Sequence, residues 1–483
     1  MSVRPAHLTS ALALAAVLVL SLGVTPAVHA APGDPGTPRY GPGADGVGDP
    51  YFPLAGNGGI DVVHYDLDLD YTPPATGAPL VGQLSGVATI DLAATQDLDR
   101  FNLDLRGLTA TAVTVGGKPM AFTQVENELV ITPRPKLKTG AQTQVVVTYG
   151  GATTRPLDIE GAPYGWYTTA DGAMVVSEPD GSATWYPVND HPTDKASYTF
   201  EITVPEGLVA VANGLPAGAP ITADGRTTWL WNAPDPMAAY LSTATIGNFV
   251  VSQYTAEPTG TPIFDAVDAN LTAGNLATTT ASLARTAAML AFFEERYGPY
   301  PFNSYGAIVD DDSVGYALET QTRSFFSRVA GEGTVAHELA HQWMGNHVSP
   351  ERWADIWLNE GWATYSTWIW NEHRGIRTAD QAFANVMARP ASQSFWTTIV
   401  RDPGPLGLFV TPIYDRGAAT LHALRGKIGD DAFFALAKAW VADFGGGTAS
   451  TDDFIALAES VSGQQLDAFF QTWLEAPSKP VSW

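Results

Sequence analysis

The chain has 483 residues, with 25 Lys+Arg against 50 Asp+Glu and a formal charge of −25. A hydrophobic content of 45% with only 16% charged residues excludes a disordered chain, and the length suits roughly two to four domains. So acidic a surface, with no basic cluster to offset it, repels phosphate and excludes a nucleic-acid partner. The absence of cysteine excludes disulfides, thiolate metal sites and cysteine nucleophiles.

At the start of the chain, Arg4 and His7 precede an apolar run over 11–22, followed by Thr25-Pro26-Ala27-Val28-His29-Ala30. A basic start, a short apolar middle and small residues at the end read as a secretory signal, cut after Ala30. The run falls short of the about 20 residues that span a bilayer. No later segment is long and apolar enough to do so, and the expected product is a secreted bacterial protein with no membrane association after processing. Residues 31–50, rich in Pro, Gly and Asp, read as a flexible lead-in.

From Ile60 to about Val251 the apolar period is two. Tyr65, Leu67, Leu69 and Tyr71 alternate with Asp66, Asp68 and Asp70, and Leu103, Leu105, Val113, Val115 and 145–149 continue the pattern. Gly116-Gly117, Gly150-Gly151 and Asp224-Gly225 supply turn signals. This predicts an N-terminal antiparallel, sandwich-like β domain over 51–255. Beyond it the period becomes helical, at 278–297, 334–344, 358–374, 416–428, 430–444, 451–461 and 464–475. A mainly helical domain over 256–483 follows.

His337-Glu338-Leu339-Ala340-His341 is H-E-x-x-H within one predicted helix. The two imidazoles, one turn apart on one face, can share a tetrahedral Zn²⁺, and Glu338 is placed to take a proton from metal-activated water rather than to bind the metal. A catalytic zinc needs a third protein ligand. His347 has the metzincin spacing, but Met344 stands where metzincins need Gly, and Met387 lacks a Met-turn signature. Glu360, on the next helix with 18 residues between it and His341, is the expected third ligand. Asp355 and Thr364 are candidates to orient a ligand imidazole, whereas His64, His373 and His422 are assigned to packing or surface.

These blocks resemble the gluzincin aminopeptidases, the family of aminopeptidase N and leukotriene hydrolase. His337 to Gly345 and Trp353 to Ala363 are similar to its H-E-x-x-H-x-W-x-G and W-L-N-E-G-x-A blocks, and Tyr297 to Phe302 to its P-Y-P-F run. Trp185 to Pro192 resembles the W-F-P-x-x-D-x-P segment of its β domain, and Tyr240 to Phe249 resembles its exit from that domain. The resemblance implies a thermolysin-like catalytic domain holding one Zn²⁺ per chain, and peptides with a free N-terminus as partners.

Tyr316-Ala317-Leu318-Glu319-Thr320 sits where the family carries G-A-M-E-N, with three of the five positions changed. By resemblance this strand runs beside the substrate, Ala317 and Leu318 border it, and Glu319 binds the free α-amino group. Glu178 is expected to offer a second carboxylate to that amine. Tyr414, in Y-x-[KR]-G-A context, is expected to hydrogen-bond the oxyanion. The expected reaction is hydrolysis of the first peptide bond by zinc-activated water, with an acidic cleft that favours cationic N-termini. The alternatives are a zinc endopeptidase on the same site and a non-enzymatic interaction protein on a decayed scaffold. Nothing in the chain singles out epoxide hydrolysis, the family's second activity. Full-length relatives carry a further helical domain over the cleft. The chain resembles a short form without it, for which a more open cleft, or closure by a partner chain, is expected.

Overall fold

The computed structural model describes residues 40–481, so the expected signal sequence and residues 31–39 of the lead-in lie outside the described residues. The rest of the lead-in is tied down rather than flexible, Gly41 pairing with Leu98 and buried Asp49 accepting from the Trp353 N–H. Strand Ile60–Thr72 buries Ile60, Val62, Tyr65, Leu67, Leu69 and Tyr71 on one face and turns its aspartates outward. A bulge between Val62 and His64 resets the alternation so that both halves bury the same face. The strand lies inside a nine-stranded sheet, antiparallel to Gly82–Ala94 but parallel to Lys195–Pro205. The sheet is therefore mixed, a correction to the expected antiparallel arrangement. Parallel neighbours require a long crossover, and residues 73–194 form it.

A four-stranded sheet, Gly165–Thr168, Ala173–Val176, Val209–Ala212 and Ala244–Gly247, packs against this one. Trp166 meets Tyr71 edge-on at 5.0 Å, and the Tyr71 hydroxyl donates to the Gly172 carbonyl. Gly150-Gly151, expected to turn, runs instead through the interior of strand Gln142–Thr153. A Cβ on Gly150 would lie 2.6 Å from the Leu84 carbonyl oxygen, so the glycine permits a close strand approach rather than a reversal.

Strand Phe249–Ala256 runs across the boundary expected after residue 255 and opens a five-stranded sheet with Thr261–Asp268, Ala307–Asp310, Ser324–Ser327 and Ala317–Leu318. Helices follow: α1 Ala273–Leu283, α2 Thr286–Tyr297, α3 Glu332–His341, α4 Trp357–His373, α5 Ala379–Met387, α6 Thr411–Ile428, α7 Asp430–Phe444, α8 Thr451–Ser462 and α9 Asp467–Phe470. The single helix expected over 278–297 is two, because α1 starts earlier, at its Thr272 cap, and closes at Ala284. The one expected over 464–475 is the short α9 followed by a π turn, Gln471–Glu475. Helix α5 escaped the periodicity reading, although Thr378 and Gln381 form a capping box that marks its start.

Helices α4 and α6 cross at two glycines. A Cβ added to Gly361 would sit 3.0 Å from the Gly417 carbonyl carbon, and one added to Gly417 3.0 Å from the Gly361 Cα. Behind the crossing, the buried Arg416 guanidinium donates to the carbonyls of Trp396, Thr398, Trp473 and Ala476, locking α6 to the C-terminal segment. Because the obstacle is backbone on both sides, Gly417→Ala forces the helices apart. The expected cost is about 1–3 kcal/mol, read as a lowered midpoint in denaturant unfolding. An unchanged midpoint would refute so close a crossing.

Candidate metal centre and cavity

Helix α3 is clamped at both ends. Glu332 in its first turn accepts from Trp370 Nε1 at 3.1 Å and Arg374 Nε at 2.7 Å, both near the end of α4. Just beyond its last turn, Trp343 Nε1 donates to the carbonyls of Gly298 and Pro299. The Tyr297 hydroxyl bonds Ser366 Oγ at 2.7 Å and ties α2 to α4. The start of α4 is fixed by Asp355, whose carboxylate accepts from the Thr451 N–H and hydroxyl at 3.0 and 2.6 Å. Glu360 stands in the first turn of α4 and faces the two imidazoles.

Glu360 Oε2 lies 3.1 Å from His337 Nε2 and 3.5 Å from His341 Nε2. Ligands bound tetrahedrally at 2.0–2.1 Å would stand about 3.3 Å apart, so the three donors fit one zinc ion. His341 Nδ1 faces the Met344 carbonyl oxygen at 3.1 Å, leaving its Nε2 directed at the metal position. That carbonyl occupies the orienting role expected of Asp355, which is instead spent on α8. Thr364 lines the cavity. His347 lies outside the cavity, against Phe302 and Gly445. His64 contacts Ser197 Oγ and Thr199 Oγ1, His373 packs on Phe292 and Trp370, and His422 contacts Asp380.

The donors open into a cavity of about 570 Å³. Its walls carry Glu178, Glu319, Glu338, Ala317 and Tyr414 and, among the described residues, include no lysine or arginine. Glu319, Glu338 and His341 bring a donor atom each to within 4.8 Å of one another. The Glu319 carbonyl accepts from Gln342 Nε2 at 3.1 Å and Asn346 Nδ2 at 2.7 Å, which fixes its backbone beside α3. Its side-chain Oε1 and that of Glu178 are buried and have no hydrogen-bond partner. Leu318 does not line the cavity. On the short strand it alternates with Ala317 and Glu319, so it faces the opposite way, buried opposite Phe325 in the register.

Burial is the largest cause pushing the Glu178, Glu319 and Glu338 carboxyls above their usual range, and for Glu178 the charges of Glu319, Glu360 and Glu338 add to it. Burial also opposes charge on Glu360, but the His341 and His337 imidazoles outweigh it and hold that carboxyl below its usual range. The Tyr414 phenol is pushed upward by burial and then by Glu360 and Glu178, so it stays a proton donor. Its ring lies 6.1 Å from that of His337.

Two supports escaped the sequence reading. The Tyr240 hydroxyl bonds the Glu319 carboxyl and receives Asn359 Nδ2 at 3.5 Å, although its segment carried no signal beyond the domain exit. Lys195, half-buried, donates to the Asn346 and His347 carbonyls at 2.9 and 3.0 Å and pins the turn after α3. Nothing in its local pattern announced that.

Residues 62–241 match the Peptidase M1 N-terminal domain and residues 282–473 the Peptidase family M1 domain. Among curated proteins, the leucyl aminopeptidase of Saccharolobus solfataricus is 24% identical over 87% of this chain and 54% of its own length. The aminopeptidase N of Streptomyces lividans is 23% identical over 86% and 50%. The chain thus spans about half the length of these curated relatives. The crystal structure of an M1 zinc metallopeptidase from Deinococcus radiodurans superimposes with a TM-score of 0.82 at 31% identity, covering 90% of this chain and 98% of that one. A variant of the same enzyme was solved bound to a Tyr-Ser-Ala substrate. A β-rich N-terminal part, a helical part carrying the metal-binding triad and a near full-length structural match together show that the chain belongs to peptidase family M1.

Proposed function

We propose that the chain is an exported zinc aminopeptidase that hydrolyses the first peptide bond of peptides with a free N-terminus. The observation that carries this reading is the pair of buried carboxyls, Glu178 and Glu319, each with an Oε1 that has no hydrogen-bond partner among the described residues, in the cavity that holds His337, His341 and Glu360. Unpaired buried charge is costly. A peptide's α-ammonium supplies the missing partner at charge-assisted strength. With the amine anchored there, only the first carbonyl of the chain reaches the metal position. Export is supported by the basic, apolar and small-residue start of the chain.

His337, His341 and Glu360 would hold one zinc per chain, which supplies Lewis-acid polarisation and acidifies water. Glu338, its carboxyl kept receptive by burial, accepts the proton of the attacking water and delivers it to the leaving amine. The Tyr414 phenol donates to the oxygen on which charge develops. The gluzincin, thermolysin-like description of the helical part rests on this same donor set of two histidines one turn apart and a glutamate on the following helix.

Glu338→Gln keeps the shape and removes the base, so kcat on aminoacyl chromogenic substrates should fall by about 10²–10⁴-fold while zinc content is kept. Wild-type turnover in that variant would remove Glu338 from the mechanism. Purified enzyme should hold one zinc by elemental analysis and lose activity to a chelator, and Glu360→Ala should lower metal content as well as rate. Full zinc retention in Glu360→Ala would mean the third ligand lies elsewhere. N-acetylation of the substrate should abolish cleavage, because it removes the cation that Glu178 and Glu319 await. Equal cleavage of free and acetylated peptides would replace this reading with an endopeptidase.

A further inference from the structure

Tyr316 stands where the resembling family carries glycine, and its side chain ties the cavity to a loop of the β-rich part. Its hydroxyl donates to the Pro163 carbonyl at 2.6 Å. The loop it holds is a built turn. Leu157 bridges Pro163, and the Asp158 N–H donates to the Ala162 carbonyl at 2.9 Å. One oxygen of the Asp158 carboxylate accepts from the Glu160 and Ala162 N–H groups at 2.8 Å each. Gly161, at φ +84°, supplies the left-handed residue that closes the turn. Asp158, Glu160 and Ala162 all line the cavity that contains the metal-binding triad.

Two charge sets therefore share one cavity. Glu178 and Glu319 lie deep within it. Asp158 and Glu160 lie at the solvent side, half-buried and exposed respectively. Hydrogen bonds from backbone N–H groups orient Asp158 without neutralising it. The same wall also carries the apolar surface of Tyr316, Ala162, Trp368 and Phe409. A guest that satisfies all three features has an ammonium at one end, an apolar stem and a second cation at the other. Arginine or lysine as the first residue of a peptide is such a guest, since its stem lies along apolar surface while its head stays at the wet rim.

We infer that the turn carrying Asp158 and Glu160, held by Tyr316, makes the cavity selective for peptides whose first residue is basic. The inference rests on the aminopeptidase reading and adds to it the substrate class and the residues that set it. Exposed charge pairs contribute little individually, about 1.5- to 5-fold each, so the selectivity is a modest preference rather than an absolute requirement.

The test compares arginyl with citrullyl chromogenic amides, which share shape and hydrogen-bonding reach but differ in charge. The expected kcat/KM ratio is about fivefold or more in favour of arginine at low salt, with the gain in KM. It should shrink as ionic strength rises from about 0.05 to about 0.5 M. Glu160→Gln should lower the ratio by about half or more. The double variant Asp158→Asn, Glu160→Gln should bring it close to one, and asparagine keeps the oxygen that accepts the two turn N–H groups. A wild-type ratio near one, or a ratio that survives the double change, overturns the inference. Calorimetric titration of zinc-loaded enzyme with L-argininamide and L-citrullinamide reads the same preference without turnover. Arginine-selective binding in an enzyme that cleaves neither amide would sink the aminopeptidase reading and leave the cation-selective rim standing.

Discussion

Charge balance inside one cavity constrains the rest of this structure. Glu178, Glu319, Glu338 and Glu360 converge with two imidazoles and, among the described residues, no lysine or arginine. Left alone, that many buried carboxylates repel one another and pull protons from water, which is the direction in which Glu178, Glu319 and Glu338 are displaced. The fold tolerates the arrangement because it fixes the backbone beneath the carboxylates with groups that carry no charge. Gln342 is the clearest case: its amide nitrogen serves the Glu319 carbonyl and its oxygen accepts the Thr322 N–H at 2.8 Å. Oε1 of Glu178 and of Glu319 is left without a hydrogen bond among the described residues, open to a cation that arrives later. Local instability at a site held by stable surroundings is what a preorganised catalytic centre requires.

Those surroundings were legible in the sequence in proportion to how local their physics is. His337, His341 and Glu338 could be read directly, because a helix of 3.6 residues per turn converts spacing into geometry. The alternation of Ile60–Thr72 could be read for the same reason, with a period of two. The parallel pairing of that strand with Lys195–Pro205 could not, since register between segments more than a hundred residues apart leaves no local trace. Gly150-Gly151 misled because glycine serves two ends, turning a chain and letting two chains approach. Leu318 misled because the family strand was carried over as a block, whereas a strand shows only alternate residues to each face. The Thr378–Gln381 capping box was present and passed over.

The resemblance blocks outside the metal centre acquire a physical meaning once the supports are traced. Trp185 Nε1 reaches Ser177 Oγ at 3.4 Å, and the Asn189 N–H donates to the Tyr65 hydroxyl at 3.0 Å. That segment therefore braces the loop bearing Glu178 against the large sheet. The Leu241 carbonyl receives the Gln321 N–H at 3.1 Å and Asn213 Nδ2 at 2.9 Å, which fixes the turn just after Glu319. Tyr297 and Trp343 hold α2, α3 and α4 together under the metal-binding triad. None of these residues faces a substrate. Each sets the position of one that does.

The two carboxylates assigned to the amine come from different sheets. Glu178 follows strand Ala173–Val176 of the β-rich part, and Glu319 follows the edge strand Ala317–Leu318 of the sheet beneath the helices. Neither part alone forms an ammonium site, because one carboxylate in a wet cleft binds a peptide amine weakly. The metal triad, by contrast, lies wholly on α3 and α4. On the proposed reading, a chain that kept the helical part and loosened the β-rich part would keep the metal triad and lose the paired-carboxylate ammonium site. On that reading, a restriction to N-termini is a property of the junction between the two parts. Tyr240, edge-on to Trp353 at 5.3 Å, spans that junction, while Trp185 braces the Glu178 loop from the β-rich side.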